Sequence, residues 1–212
     1  MRREMRGLLV IAGALVLGVV GAEPYARAMA PYYDALARLV AVGPAWEVGS
    51  VAVRPGRSGL GAELTLEALV RNPDDLTGPH AQVRGRIQVG EVVETPIVYW
   101  TVLLLWPATT LRSRLVRLAL GVPGFLLVEA LTTGSQLLLP MAQASAVLRG
   151  QVALTPWDHW SHFLEAGGQF VLACGLAGVI GALGTRRTVA SAAARDLVSS
   201  APLAAVSSRQ RR

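Results

Sequence analysis

The sequence predicts a mainly α-helical membrane protein, with four transmembrane helices and a small extracytoplasmic antiparallel β unit between helices 1 and 2. Three observations predict it: four runs are apolar enough to sit in lipid, arginine gathers on one side of them, and two polar-apolar alternations lie between the first run and the second. Of 212 residues, 52% are hydrophobic and 16% charged, a surplus of apolar surface that a water-soluble domain of this length has little means of hiding.

The apolar runs are Gly7 to Ala22, Pro96 to Ala108, Leu118 to Leu139 and Phe163 to Leu183. Only the third and fourth reach the roughly 20 residues that a ~30 Å hydrocarbon core requires. The basic residues, all arginine, supply a second test. Arg2, Arg3 and Arg6 precede the first run, Arg112, Arg114 and Arg117 lie between the second and third, and Arg186, Arg187, Arg195, Arg209, Arg211 and Arg212 follow the fourth. Placed together, these regions carry 12 arginines against Glu4 and Asp196, a net +10, and leave −4 for everything else. Such asymmetry is what the positive-inside rule asks of four spans with both termini in the cytoplasm of a bacterial inner membrane. The alkaline pI, near 10.6, therefore reports orientation; single-face clustering with interleaved aromatics, the mark of nucleic-acid binding, is missing. MRREMR with a short apolar run and Val20-Gly21-Ala22 also fits a cleavable signal peptide, which would leave three spans.

The chain thus divides into an N-terminal anchor (residues 1–23), an amphipathic interfacial helix (24–44), the β unit (45–93), a three-helix membrane region (94–185) and a basic cytoplasmic tail (186–212). In the interfacial helix Tyr25, Met29, Tyr32, Tyr33, Leu36, Leu39 and Val40 recur at three- and four-residue steps, with a kink or break expected at Pro31. Tyrosines at headgroup level on the outer surface explain this face, and a substrate-binding aromatic face is the sharper alternative.

In the β unit Leu64, Leu66, Ala68 and Val70 alternate with Glu63, Thr65 and Glu67. Ala81, Val83, Gly85, Ile87 and Val89 alternate with Gln82, Arg84, Arg86 and Gln88. Asn72-Pro73-Asp74-Asp75 and Gly78-Pro79 supply turn chemistry between them, and Trp46 to Val53 adds a third, weaker strand. Three strands in fewer than 50 residues bury too little to stand alone. The single cysteine, Cys174, excludes an internal disulfide and reads as a buried, inert thiol. The apolar face, with Leu64, Leu66, Val83 and Ile87 as docking candidates, must rest on the 24–44 helix, on the membrane or on another protein.

Polar residues inside the apolar runs are the remaining candidates. Glu129 sits midway along the third run, with Thr133, Gln136 and Gln143 at +4, +7 and +14 on one helical face. Asp158, His162, Glu165 and Gln169 form a second stripe, and antiparallel neighbours would bring the two together. Interhelical hydrogen bonding that glues the bundle is the plain reading, against a proton relay or a catalytic site. Asp158-His159-Trp160-Ser161-His162 is no recognised zinc signature, and no metal or other cofactor is expected. Walker, dinucleotide-binding and nucleophile-elbow motifs are absent from the sequence.

The order of parts resembles the small bacterial membrane proteins associated with exosortase H: an Arg-flanked first run, strands through Val93, the Glu94-Thr-Pro-Ile-Val-Tyr-Trp100 entry to the second run, and the Arg-rich turn before the third. The resemblance covers most of Met1 to Leu183 and implies an accessory role beside a membrane processing enzyme, with no catalytic residues to carry over. The leading expectation is a non-enzymatic accessory or assembly subunit of a bacterial inner-membrane hetero-complex, partnered by other integral membrane proteins and the lipid bilayer, with no nucleic acid. Two alternatives stand beside it: a small transporter or proton-coupled component using Glu129, and a membrane-embedded enzyme using His162 and Glu165.

Overall fold

A computed structural model describes residues 2–41, 45–56, 61–72, 75–107, 111–150 and 156–183. The 186–212 tail lies outside them. Helix α1 (Arg2–Val40) leads into strands β1 (Trp46–Pro55), β2 (Ala62–Asn72) and β3 (Asp75–Gln88), followed by α2 (Val89–Leu105), α3 (Leu111–Leu148) and α4 (Pro156–Leu183). A π-turn interrupts α3 at Ala130–Gly134, and another interrupts α4 at Leu164–Gly168.

The expected antiparallel sheet is present, in the order β1-β2-β3. Val51 and Val53 lie opposite Leu66 and Leu64, and on the other side of β2 Leu64 faces Ile87 and Ala68 faces Val83. Cross-strand charges occupy the outer face, where Glu67 sits between Arg54 at 3.0 Å and Arg84 at 2.5 Å. The two ends of β3 differ from the sequence expectation. Gly78-Pro79 falls inside the strand, where four residues loop out between the partners of Arg71 and Asn72. Proline is tolerated there because β3 is an edge strand. Val89 to Val93, expected in the β unit, open α2 instead.

What covers the sheet lies within the chain. Ala26, Ala30, Tyr33 and Ala37 of α1, four, three and four residues apart, are buried against Leu64, Leu66, Ala68, Val70 and Ile87. Leu137, Leu138 and Met141 of α3 complete this core. The contact is close enough that a β-carbon on Gly85 would overlap the Leu137 carbonyl oxygen. Arg38, in the last turn of α1, holds Asp34 at 2.8 Å and donates to the Gly49 carbonyl at 3.1 Å, tying the helix end to β1. Helix α1 runs through both Pro24 and Pro31 without ending, and its small alanine face packs on the sheet.

The expectation of four transmembrane helices is overturned. Among the described residues two helices, Leu111–Leu148 and Pro156–Leu183, are long and apolar enough to cross a membrane. Helix α2 has 17 residues, about 26 Å at helical rise and short of the ~30 Å needed. In α1 the apolar run stops at Ala22 and the helix continues as the cover of the sheet. Along the middle of α3 and the second half of α4 the outward large residues are apolar, with Leu115, Leu118, Val122 and Leu127 on one and Phe170, Val171, Val179 and Leu183 on the other. Inward, Phe125, Val128, Ala173, Ala177 and Ile180 pack with Tyr99 and Leu103 of α2 in a second core. Tyr25 and Met29 of α1 touch both cores.

Candidate functional site: the Glu129 junction

Glu129 is the last residue of α3 before its π-turn and is fully buried. Its surroundings are polar groups of α1. The Tyr33 hydroxyl donates to Glu129 Oε2, while Glu129 Oε1 and the Tyr25 hydroxyl are buried in the same cluster without a hydrogen bond of ordinary geometry. Burial, reinforced by the neighbouring carboxylate, pushes both Tyr25 and Tyr33 far above the ordinary tyrosine range, so both remain neutral donors. Thr133 is buried one turn further along, beside Tyr33.

The π-turn explains the rest of the polar traffic. Widening the ladder to i→i+5 leaves carbonyls short of their usual amide partners. Tyr32 of α1 donates to the Leu126 carbonyl at 2.6 Å, and Trp160 of α4 donates through Nε1 to the Leu131 carbonyl and to Ser135 Oγ, each at 3.0 Å. Thr132 and Ser135 turn back onto the Val128 and Leu131 carbonyls at 2.9 and 2.7 Å. The bulge is a knuckle on which α1 and α4 both fasten, not a loose segment.

The two polar stripes expected from the sequence meet at one point, Gln143 with Asp158, and part elsewhere. Glu129 and Thr133 turn toward α1, whereas half-buried Gln136 lies against Trp157, Trp160 and Leu164 of α4, and Gln143 donates to Asp158 at 2.9 Å. His162 and Glu165 are exposed, 3.6 Å apart, and Gln169 is half-buried beyond the second π-turn. Counting at 3.6 residues per turn fails across a π-turn, which adds a residue and rotates everything after it. In α4 the slip is compounded at Gly167, whose φ of 96° breaks the helical path and suits only glycine.

Other placements follow. Among the docking candidates, Leu64, Leu66 and Ile87 are buried and Val83 half-buried, all against α1 and α3. Cys174 is on the outward face of α4, correcting the expectation of a buried thiol. Among the described residues no group of three His, Cys, Asp or Glu is arranged to hold a metal ion. Arg117, counted from the sequence as an orienting charge, is buried and caps α2: it donates to the Trp106 and Pro107 carbonyls at 2.8 and 2.6 Å and to Ser113 Oγ at 3.1 Å. The tyrosines at 25, 32 and 33, spaced to share a helix face, were the available sign of a donor set for Glu129; nothing in the sequence marked Trp160 or Arg117. No family model, curated protein or solved structure matches this chain.

Proposed function

We propose that this protein is a non-enzymatic accessory or assembly subunit of a bacterial inner-membrane complex. The observation that carries the reading is where its polar groups go. Glu129, Arg117, Gln143 and Trp160 hold the chain's own elements together, and between exposed Arg114 and Gln143 on α3 and beyond exposed Glu165 on α4 the outward flanks are apolar. An apolar patch of that extent suits lipid and another membrane protein rather than a soluble substrate. Since Leu64, Leu66 and Ile87 are covered, docking falls to the helix flanks and to the charged outer face of the sheet.

In this reading α3 and α4 form a membrane hairpin. Arg112 and Arg114, exposed at the end of α3 remote from the sheet, mark the cytoplasmic side and leave the sheet outside. The order of parts, similar to proteins that accompany exosortase H, supports a protein-sorting assembly as the complex. Crosslinking in native membranes followed by purification tests it. An integral membrane partner should co-purify and be lost in Val122→Trp or Val179→Trp at unchanged abundance. A protein that purifies alone, or keeps its partner in both variants, overturns the reading.

A second reading, a proton-coupled component, has Glu129 Oε1 and the Tyr25 hydroxyl in its favour, two buried polar groups without a hydrogen-bond partner of ordinary geometry. It requires Glu129→Gln to abolish proton movement into sealed vesicles while the partner stays bound. As an accessory subunit the protein would show no such movement before or after the change.

A further inference from the structure

Of the sheet's two edges, one is guarded and the other open. Strand β1 carries a bulge between Val48 and Ser50, ends on Pro55, and has its Gly49 carbonyl taken by Arg38 of α1. Bulges and prolines keep an edge from pairing with another chain. From His80 to Gln88 strand β3 has neither: its register with β2 runs without a shift, and the segment contains no proline.

Backbone alternation says which groups that edge presents. The Arg71 amide donates to the Ala45 carbonyl, so at every second position of β2, from Arg71 back to Glu63, the main-chain groups turn toward β1. Those of Leu64, Leu66, Ala68 and Val70 turn toward β3, where Ile87, Gly85, Val83 and Ala81 meet them. His80, Gln82, Arg84 and Arg86 then aim their amides and carbonyls away from the sheet, and no described residue bonds to them there.

The side chains state the chemistry that fits. Gln82, Arg84 and Arg86 are exposed on the outer face; Arg84 meets Glu67, and Arg86 makes no ion pair among the described residues. On the inner face Ala81 and Val83 are half-buried while their β2 partners Val70 and Ala68 are buried, so the apolar layer under the sheet is still open along β3. A chain laid beside β3 would place acid outward, across from Arg84 and Arg86, and apolar side chains inward, beside Ala81 and Val83. Two copies pairing through β3 would set arginine against arginine, which disfavours a second copy as the occupant.

We propose that β3 accepts an extended segment of the protein's membrane partner as a fourth strand, one in which acidic and apolar residues alternate. Main-chain hydrogen bonds supply the affinity and alternate side chains the selectivity. The proposal rests on the accessory reading and gives it a contact outside the membrane.

The probe is a fluorescent octapeptide alternating glutamate and valine, added to the full chain in nanodiscs and followed by anisotropy, with a lysine-valine octapeptide as its counterpart. The glutamate peptide should bind and the lysine peptide should not. Arg86→Glu should weaken binding about tenfold by setting like charges across the new strand pair. Gln82→Pro should weaken it at least as much with every charge in place, since it removes an amide that faces the edge and none that faces β2. Arg27→Glu, an equal charge change on α1, should alter nothing. In native membranes both β3 variants should also lower recovery of the crosslinked partner. Equal binding of the two peptides, or binding unchanged in both β3 variants, overturns the proposal. A glutamate peptide that stays unbound while the partner still co-purifies overturns it and spares the accessory reading. A chain that binds this peptide yet purifies without a partner supports the edge and removes the accessory reading.

Discussion

The Tyr33 hydroxyl donates a hydrogen bond to Oε2 of Glu129, joining side chains 96 positions apart in the sequence. Tyr33 belongs to the core that covers the sheet, and Glu129 stands where α3 passes from that core to the one shared with α2 and α4. The pair pins the two together.

Removing the carboxyl should therefore loosen both cores. Glu129→Ala leaves the buried Tyr33 hydroxyl without its acceptor and opens a cavity, at a cost of about 3 kcal/mol or more. Glu129→Gln, which keeps an acceptor oxygen and the volume, should cost roughly 1 kcal/mol. Thermal unfolding in detergent micelles, followed by tryptophan fluorescence, should rank wild type, Gln and Ala in that order; equal midpoints would show that the pin bears no strain.

Alkaline titration reads the same cluster. Tyr25 and Tyr33 hold their protons in the folded protein above the ordinary value of about 10, so between that value and their raised one the unfolded chain binds fewer protons. Stability is full below about pH 10 and falls as pH rises beyond it. Phenolate absorbance should show Tyr25 and Tyr33 ionising only together with unfolding, and Tyr33→Phe should remove part of that alkaline loss.

Gly85 marks where strand and helix backbones touch. A larger side chain there meets the Leu137 carbonyl, which cannot swing aside as a side-chain tip would. Gly85→Val should cost about 3 kcal/mol, at the upper end of overpacking. Limited proteolysis should then cut the sheet while α4 stays protected; Gly90→Val, facing open space, is the matched control.

Arg117 and Arg114 should part company although both lie in one arginine-rich turn. Arg117→Ala strips the Trp106 and Pro107 carbonyls of their donor and should cost about 2–3 kcal/mol, whereas exposed Arg114→Ala should stay within about 0.5 kcal/mol. Denaturant midpoints in micelles distinguish them, and comparable losses would dismiss the cap.

The strands were legible because alternation needs only a period of two, and Leu64, Leu66, Ala68 and Val70 point inward as that period requires. The docking inference was not, because composition gives no account of what lies on the other side. Alanine at 26, 30 and 37 looks neutral in a sequence, yet it is what lets α1 approach the sheet. Ile87→Asp would consequently disrupt the sheet's own packing before it tested any partner.

By itself the sequence determined the three-stranded sheet, the two long apolar helices and the presence of a carboxyl among apolar neighbours, since each depends on patterns local to its own segment. Only the tertiary structure decided that α1 covers the sheet, that Glu129 meets Tyr33, that Arg117 caps α2, and that the two polar stripes meet only at Gln143 and Asp158. The reason is geometric: two π-turns shift the helical register by residues no periodic count includes, and a buried group's partner is fixed by packing between segments that lie far apart along the chain.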